Sequence, residues 1–358
     1  MTRVGVLGAA GLVGGEAIRL IAGHPGLDLT YLGGERHAGQ RLSAVHPGLR
    51  LSPDPVIENL PAAQLARVCD AVICATPAVT SAAVIPELAR HGTVVIDLSG
   101  AFRLRDEALH QRWYPDVQRP GGLADRFVFG VPELLGARLA DAALISLPGC
   151  YATAALLALA PLVQAARAAD LRLGPLLIDA KGGSSGGGLA LREADLHPHR
   201  SGAITPYAPD GHRHAAEVDR FFAEHAPGRL PRTAMSAYGT GTVRGLLASC
   251  YAFTDEPRSA LDAATLRRAY LRFYRPHPFV RVRHRGDAPV PAPTPKAVTG
   301  SNYCDVMALY DAEGRRVIAL GALDNLLKGA AGQAVQVLNL RFGHGETTGL
   351  DAQPLVVS

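Results

Sequence analysis

Three features of the 358-residue sequence predict an α/β protein built on a doubly wound parallel sheet. The first is an N-terminal unit: apolar residues 3–8, the turn Gly8-Ala9-Ala10-Gly11-Leu12-Val13-Gly14-Gly15, a helical stretch with Leu12, Ile18 and Ile21 on one side, and a second apolar run at 27–33. The second is a series of short apolar runs at 71–76, 93–99 and 143–147, with helical stretches between several of them, as parallel strands joined by crossovers require. The third is length, which exceeds one typical core and implies two domains. The pattern changes near residue 150. Residues 1–149 are expected to form a Rossmann-like NAD(P)-binding domain, 150–324 an α+β domain, and a closing helix at 325–342 is expected to pack back on the first.

Glycines in such a turn let the backbone approach a pyrophosphate, whose charge sits at the helix N-terminus. Gly8, Ala10, Gly11, Leu12 and Val13 are the candidate contacts. The spacing is G-x-x-G-x-x-G, so a plain tight turn is the competing reading. After the second strand comes Gly34-Glu35-Arg36. An acidic residue there binds a free ribose 2′-hydroxyl and an arginine accommodates a 2′-phosphate, so these residues leave NAD and NADP open. Ser99-Gly100 ends another strand, and Arg103 follows in "DLSGAFRL" as either a surface residue or an anion-binding fork.

In "SLPGCYATAALLALAPL", residues 146–162, Cys150 stands between a strand and a nearly all-apolar helix. It is either a packed thiol or a reactive one, because a helix N-terminus favours an anion. The strand in 175–188 ends in "GGSSGGG", where main-chain amides around Ser184 and Ser185 could cradle an anion. His212 and His214 precede a helix with Val218 and Phe221 toward the core. Two histidines at i, i+2 without a third ligand make a poor metal site, so no metal is expected, and a general acid/base is the alternative to solvated side chains. Gly329 and Gly332 fall inside the last helix, where each costs about 1 kcal/mol relative to alanine, so something is expected to approach the backbone there. The Pro-rich stretch 286–295 reads as a surface loop.

Composition sets the outer limits. Charged residues make up 19% and the formal net charge is +4, too mild for a nucleic-acid-binding face. The arginines of 275–286 alternate with apolar residues, as on a strand edge. Five scattered cysteines lack a C-x-x-C pair, which suits a reducing compartment. No signal-peptide pattern opens the sequence, and even the apolar run 151–163 is short for a membrane span, so a cytoplasmic protein is expected.

Taken in order, the glycine turn, "DLSGAFRL", "VPEL", "PGCYATAALLALAPL", "GHRHAAEV" and "DNLLKGAAGQA" resemble the N-acetyl-γ-glutamyl-phosphate reductase family, a relative of aspartate-semialdehyde dehydrogenase, over nearly the whole chain. The resemblance implies that Cys150 attacks an acyl phosphate, phosphate leaves, and NADPH reduces the thioester to an aldehyde. It further implies that His212 or His214 handles the proton, that Arg103 holds a substrate anion, and that Asn325 lines the nicotinamide site. It implies a homodimer or homotetramer assembled through the second domain.

Two departures qualify this. The family often ends its second strand in Ser-Arg; here Gly34-Glu35 aligns with that pair, leaving Arg36 as the phosphate partner. "HPHRSG", "GSSGGG", "GSNYCDV" and the missing proline after His214 are more similar to a sister branch. That branch reduces aminoadipyl or glutamyl phosphate tethered to a small acidic amino-group carrier protein, in lysine and sometimes arginine synthesis. Basic residues near 197–200 and 275–285 could meet such a carrier. A nucleotide-binding sensor without chemistry is the remaining class, and it has no use for Cys150 with a downstream histidine pair.

Overall fold

A computed structural model describes residues 1–226, 230–254, 262–284, 292–311, 313 and 315–355. The chain forms two compact units, Met1–Gly149 with Ala330–Asp351, and Cys150–Gly329 with the described residues from Ala352 onward.

The first unit begins β1 (Thr2–Leu7), α1 (Leu12–Ala22), β2 (Leu27–Gly33), α2 (Leu42–Val45), α3 (Ala62–Val68) and β3 (Ala71–Cys74). It continues α4 (Ala78–Arg90), β4 (Val94–Asp97), α5 (Glu107–Trp113), β5 (Val128–Phe129), α6 (Pro132–Asp141) and β6 (Leu144–Ser146). The strands lie in the order β2-β1-β3-β4-β6-β5, every pair parallel. β3, β4 and β6 are buried along their whole length, which is why they read as unbroken apolar runs rather than alternating ones. Strand order reverses between β1 and β3, and Gly8 stands at the carboxyl end of β1, the position where open α/β sheets bind ligands. The expected strands at 71–76, 93–99 and 143–147 overshoot by two or three residues, because the chain already bends away at Thr76 and Ser99. β5 has only two residues and carries no periodicity to detect.

The second unit comprises α7 (Cys150–Ala168), β7 (Leu173–Gly182), α8 (His197–Arg200), β8 (Ile204–Ala208), α9 (Arg213–His225) and β9 (Thr233–Thr240). It continues with β10 (Leu246–Thr254), α10 (Ala263–Tyr274), β11 (Val280–Val282), β12 (Cys304–Asp311) and β13 (Arg316–Leu323). They build a mixed sheet in the order β11-β12-β13-β10-β7-β9-β8. α7 is longer than the run 151–163 suggests, and by length and composition it is the one described helix that could cross a membrane. It is instead the core helix of this unit, packed against β10, β12 and β13. Pro161 lacks an N–H and leaves the Leu157 carbonyl without its i+4 donor. The Tyr274 hydroxyl of α10 donates to that oxygen, and Tyr270 donates to Ala158 O at 2.5 Å.

The closing segment is helical over most of the expected span 325–342: a widened turn, Leu327–Ala331, runs directly into α11 (Gly332–Arg341). Asp324 caps its start, its Oδ1 accepting the N–H groups of Leu326 and Leu327 at 2.9 and 3.4 Å. α11 packs on α1 and α6 of the first unit, where Gln336 donates to Glu133 Oε1 at 3.0 Å. Of the Pro-rich stretch, residues 286–291 lie outside the described residues.

Candidate active site

Gly8 has φ +82°, and a Cβ on it would lie 2.3 Å from the Ala75 carbonyl oxygen, so only glycine fits. The amides of Gly8 and Ala9 both donate to Gly33 O at 2.9 Å, tying the turn to the end of β2. Gly11 is the N-cap of α1 and offers no side-chain cap, so the helix N-terminus beside Ala10, Leu12 and Val13 is open to an anion. These residues fit a dinucleotide pyrophosphate. A residue the sequence did not single out, His46, braces the turn: its Nε2 donates to Ala9 O at 2.8 Å, and its ring occupies the space a side chain at Gly15 would need. Gly34 follows β2, its amide bonded to Glu58 O, while Glu35 and Arg36 are both exposed.

At the end of β4, Asp97 accepts the Ser99 amide at 2.9 Å, and Ser99 Oγ accepts the Ala101 amide at 3.1 Å. Burial pushes the Asp97 carboxyl up to about 6, against the stabilising pull of Ser99 and Arg103. Arg103 is 7% exposed and donates to Leu98 O at 2.6 Å, so its fork is folded onto this loop rather than waving from the surface.

The five thiols differ in their surroundings. Cys69, Cys74, Cys250 and Cys304 are buried, and burial pushes the first three thiols up from their ordinary value. Cys150 alone is partly exposed, as the first residue of α7, where the field of the helix N-terminus favours an anion. Gly329 shows what approaches the closing segment: a Cβ there would stand 2.8 Å from Cys150 Cβ.

The histidines are placed by α9. His212 is its N-cap, with Nδ1 accepting the His214 amide at 3.2 Å, which leaves a neutral ring its proton on Nε2. That Nε2 lies 3.5 Å from the Tyr207 hydroxyl. His214 belongs to the helix rather than preceding it, and its Nε2 is 3.7 Å from Oε1 of fully buried Glu217. The two rings meet edge-on at 4.4 Å between centroids, and Tyr151, next to Cys150, touches both at 5.6 and 5.8 Å. Burial holds the Tyr151 phenol protonated. Tyr151, Tyr207 and Glu217 escaped the sequence reading, although Glu217 stands at i+3 from His214, a spacing that would have shown it.

The glycine-serine loop does not offer the anion cradle expected of it. The amides of Gly183, Ser184 and Ser185 donate to Gly245, Thr242 and Val243 carbonyls at 2.9–3.0 Å. Ser185 Oγ donates to Val243 O at 2.6 Å and accepts from Asn325 Nδ2 at 2.9 Å, while the Asn325 Oδ1 accepts the Gly245 amide at 2.7 Å. Ser185 and Asn325 thus brace the loops of the second unit, and Ser184 is half-exposed beside them. Among the described residues no His, Cys, Asp and Glu group could hold a metal ion.

Residues 3–142 match the family described as semialdehyde dehydrogenase, NAD binding domain, and residues 150–325 match semialdehyde dehydrogenase, dimerisation domain. The chain belongs to the semialdehyde dehydrogenase family. It is an oxidoreductase whose first unit carries the NAD-binding fold. Among relatives of this family, the chain is 38% identical over 355 residues to the LysW-L-2-aminoadipate/LysW-L-glutamate phosphate reductase of Sulfurisphaera tokodaii, covering 99% of each. It is 36% identical over 353 residues to the N-acetyl-gamma-glutamyl-phosphate reductase of Methanopyrus kandleri, covering 98% of each. In fold it is similar to aspartate semialdehyde dehydrogenase from Candida albicans, solved with NADP, at a TM-score of 0.71 and 16% identity over 95% of this chain and 98% of that one.

Proposed function

We propose that this semialdehyde dehydrogenase reduces an N-substituted γ-glutamyl or δ-aminoadipyl phosphate to the semialdehyde, releasing phosphate, in lysine or arginine synthesis in the cytoplasm. The observation that carries the reading is Cys150, a partly exposed thiol at a helix start, whose chain neighbour Tyr151 touches His212 and His214, with Glu217 beside His214. The Cys150 thiolate attacks the acyl carbon, and the acyl C–O bond breaks with its electron pair leaving on phosphate. A bound nicotinamide dinucleotide supplies the hydride. The resulting tetrahedral carbon collapses to the aldehyde and returns the electron pair to Cys150 sulfur. His212 and His214 handle the proton, with Glu217 beside the His214 ring. Arg103 holds a substrate anion.

NADPH is the expected cofactor, with Arg36 on the 2′-phosphate. Arg36→Ala is expected to weaken NADPH binding by about a hundredfold and NADH binding by less than about threefold, read by fluorescence titration. Equal losses would put Glu35 on the ribose instead.

The amino substituent is proposed to be a small acidic carrier protein, as the names of several relatives indicate for those proteins. One earlier candidate contact is withdrawn: Arg200 is engaged internally with Asp195, Thr240 O and Gly182 O. An exposed basic set is Arg267, Arg268, Arg272 and Arg275, on and just after α10, with half-exposed Arg283 lining a cavity together with Arg267. The deciding experiment follows NADPH oxidation with carrier-linked and free N-acetylated acyl phosphates at rising salt. KM for the linked substrate is expected to climb several-fold between 50 and 300 mM salt (on the order of the screening change) with turnover steady. Equal efficiency on the free N-acetyl substrate would assign the chain to carrier-independent arginine synthesis.

A second copy of the chain is proposed to cover the sheet face bearing Leu309, Ile318, Tyr251 and Leu177. These residues lie in one row across four strands and are half-exposed or exposed. Sedimentation at micromolar concentration checks it, and a monomer would refute it.

A further inference from the structure

The first unit carries the NAD-binding fold, and a glycine turn of its kind receives a pyrophosphate only if the turn's amides point outward in fixed directions. Backbone bonds tie most of the turn. The amides of Gly8 and Ala9 are held by Gly33 O, and the Gly11 amide donates to Gly8 O at 2.9 Å. The peptide joining Ala9 to Ala10 is the exception. Its N–H, on Ala10, takes no partner among the described residues. Its carbonyl, on Ala9, accepts from a side chain 37 positions away, the Nε2 of His46 at 2.8 Å.

A trans peptide is planar, with its C=O and N–H pointing in opposite directions. A grip on Ala9 O therefore fixes where the Ala10 N–H points, on the side away from His46. A carbonyl can only accept, so a neutral His46 ring carries its proton on Nε2. The ring is itself anchored. His46 ends α2, a four-residue helix too short to hold its own shape. Fully buried Leu42 secures it, its amide donating to Pro55 O at 2.8 Å, and the Ser43 hydroxyl donates to Asp54 Oδ2 at 2.6 Å. Gly15 leaves room for the ring, since a Cβ there would lie 2.7 Å from His46 Cε1.

We propose that His46 is a positioning residue for the cofactor: by holding Ala9 O it sets the direction of the Ala10 amide, and through that peptide the affinity for the dinucleotide pyrophosphate. The proposal rests on the dinucleotide reading of the turn. An amide already aimed at its anion loses little freedom on binding, which is what preorganisation contributes to affinity. Glycine at position 15 then serves the ring, because α1 forgoes a better helix former there to keep His46 seated.

The test is isothermal titration of the purified protein with NADPH and with adenosine 2′-monophosphate, which shares the adenosine end but has no pyrophosphate. His46→Leu removes the donor and leaves Ala9 O without it. Kd for NADPH is expected to rise about ten- to thirtyfold, with less than about a twofold change for the monophosphate. His46→Gln, whose side-chain amide donates at nearly the same reach, should bind NADPH within about threefold of wild type. Gly15→Ala approaches from the other side: the new methyl displaces the ring, which is free to swing, while alanine favours the helix. Its melting temperature should hold or rise while NADPH affinity falls about tenfold, a divergence that a merely structural role does not give. His46→Leu binding NADPH as wild type does, or weakening both ligands alike, would overturn the proposal, as would a Gln variant no better than Leu. Should His46→Leu fail to fold, Gly15→Ala decides, and normal NADPH binding there overturns the proposal. A wild-type protein that binds no NADPH would instead overturn the cofactor reading, before any variant is made.

Discussion

Cys150→Ser is expected to lower product formation by at least about a thousandfold while leaving the fold intact. The change replaces one sulfur with oxygen at a partly exposed helix start, so little packing is lost. What disappears is the nucleophile, since a serine hydroxyl is hardly ionised at neutral pH even beside a helix N-terminus. The neighbouring phenols and imidazoles would still orient the substrate but could not form the covalent bond. NADPH oxidation reports the loss, and circular dichroism with a thermal melt reports the fold. Activity above about a tenth of wild type would end the covalent assignment. The other four thiols are buried and cannot stand in.

Gly329→Ala is expected to cost about a hundredfold in kcat with KM for the dinucleotide unchanged. The added Cβ would lie 2.8 Å from Cys150 Cβ and 3.1 Å from Leu323 Cδ1. Cys150 Cβ is fixed to its backbone, and the Leu323 methyl belongs to a fully buried side chain that can give only by repacking. Relief must come from shifting the widened turn or the first residue of α7, and small misplacements of a reacting group cost rate on that scale. A stability loss of about 1–3 kcal/mol should accompany it, as for other overpacked sites. Steady-state kinetics beside a denaturant melt separates the two effects. A variant with normal kcat would show that the turn yields and that Cys150 needs no backing.

The legible parts of this chain are those governed by short-range rules. The glycine turn, the helix after it and β2 at 27–33 were readable because periodicity and turn chemistry agree there. Cys150 was readable as a residue out of place at the head of an apolar helix. The misreadings share one cause: a main-chain group has a partner far away in sequence. The glycine-serine loop looks like an anion cradle until residues 242–245 pair with its amides, some 58 positions on for Ser185. Arg200 looks like a surface charge until Thr240 and Gly182 claim its guanidinium. The start of the closing helix carries no sign in sequence that Asp324, just before it, is tied to loops at 244 and 300.

The placement of α11 bears on how the protein is made. The first unit begins at Met1 but needs residues 330–351 to be whole. Val335, Val337 and Leu338 of α11 are buried, and Gln336 completes the pairing of Glu133. During synthesis, residues 150–329 must emerge before that helix exists, an interval of roughly 10–40 s at ordinary elongation rates. Through that interval the nascent first unit keeps the apolar flanks of α1 and α6 uncovered. The second unit's main span has no such wait, because residues 150–329 are consecutive. Translation order therefore runs opposite to folding order: the part that leaves the ribosome first is the part that finishes last.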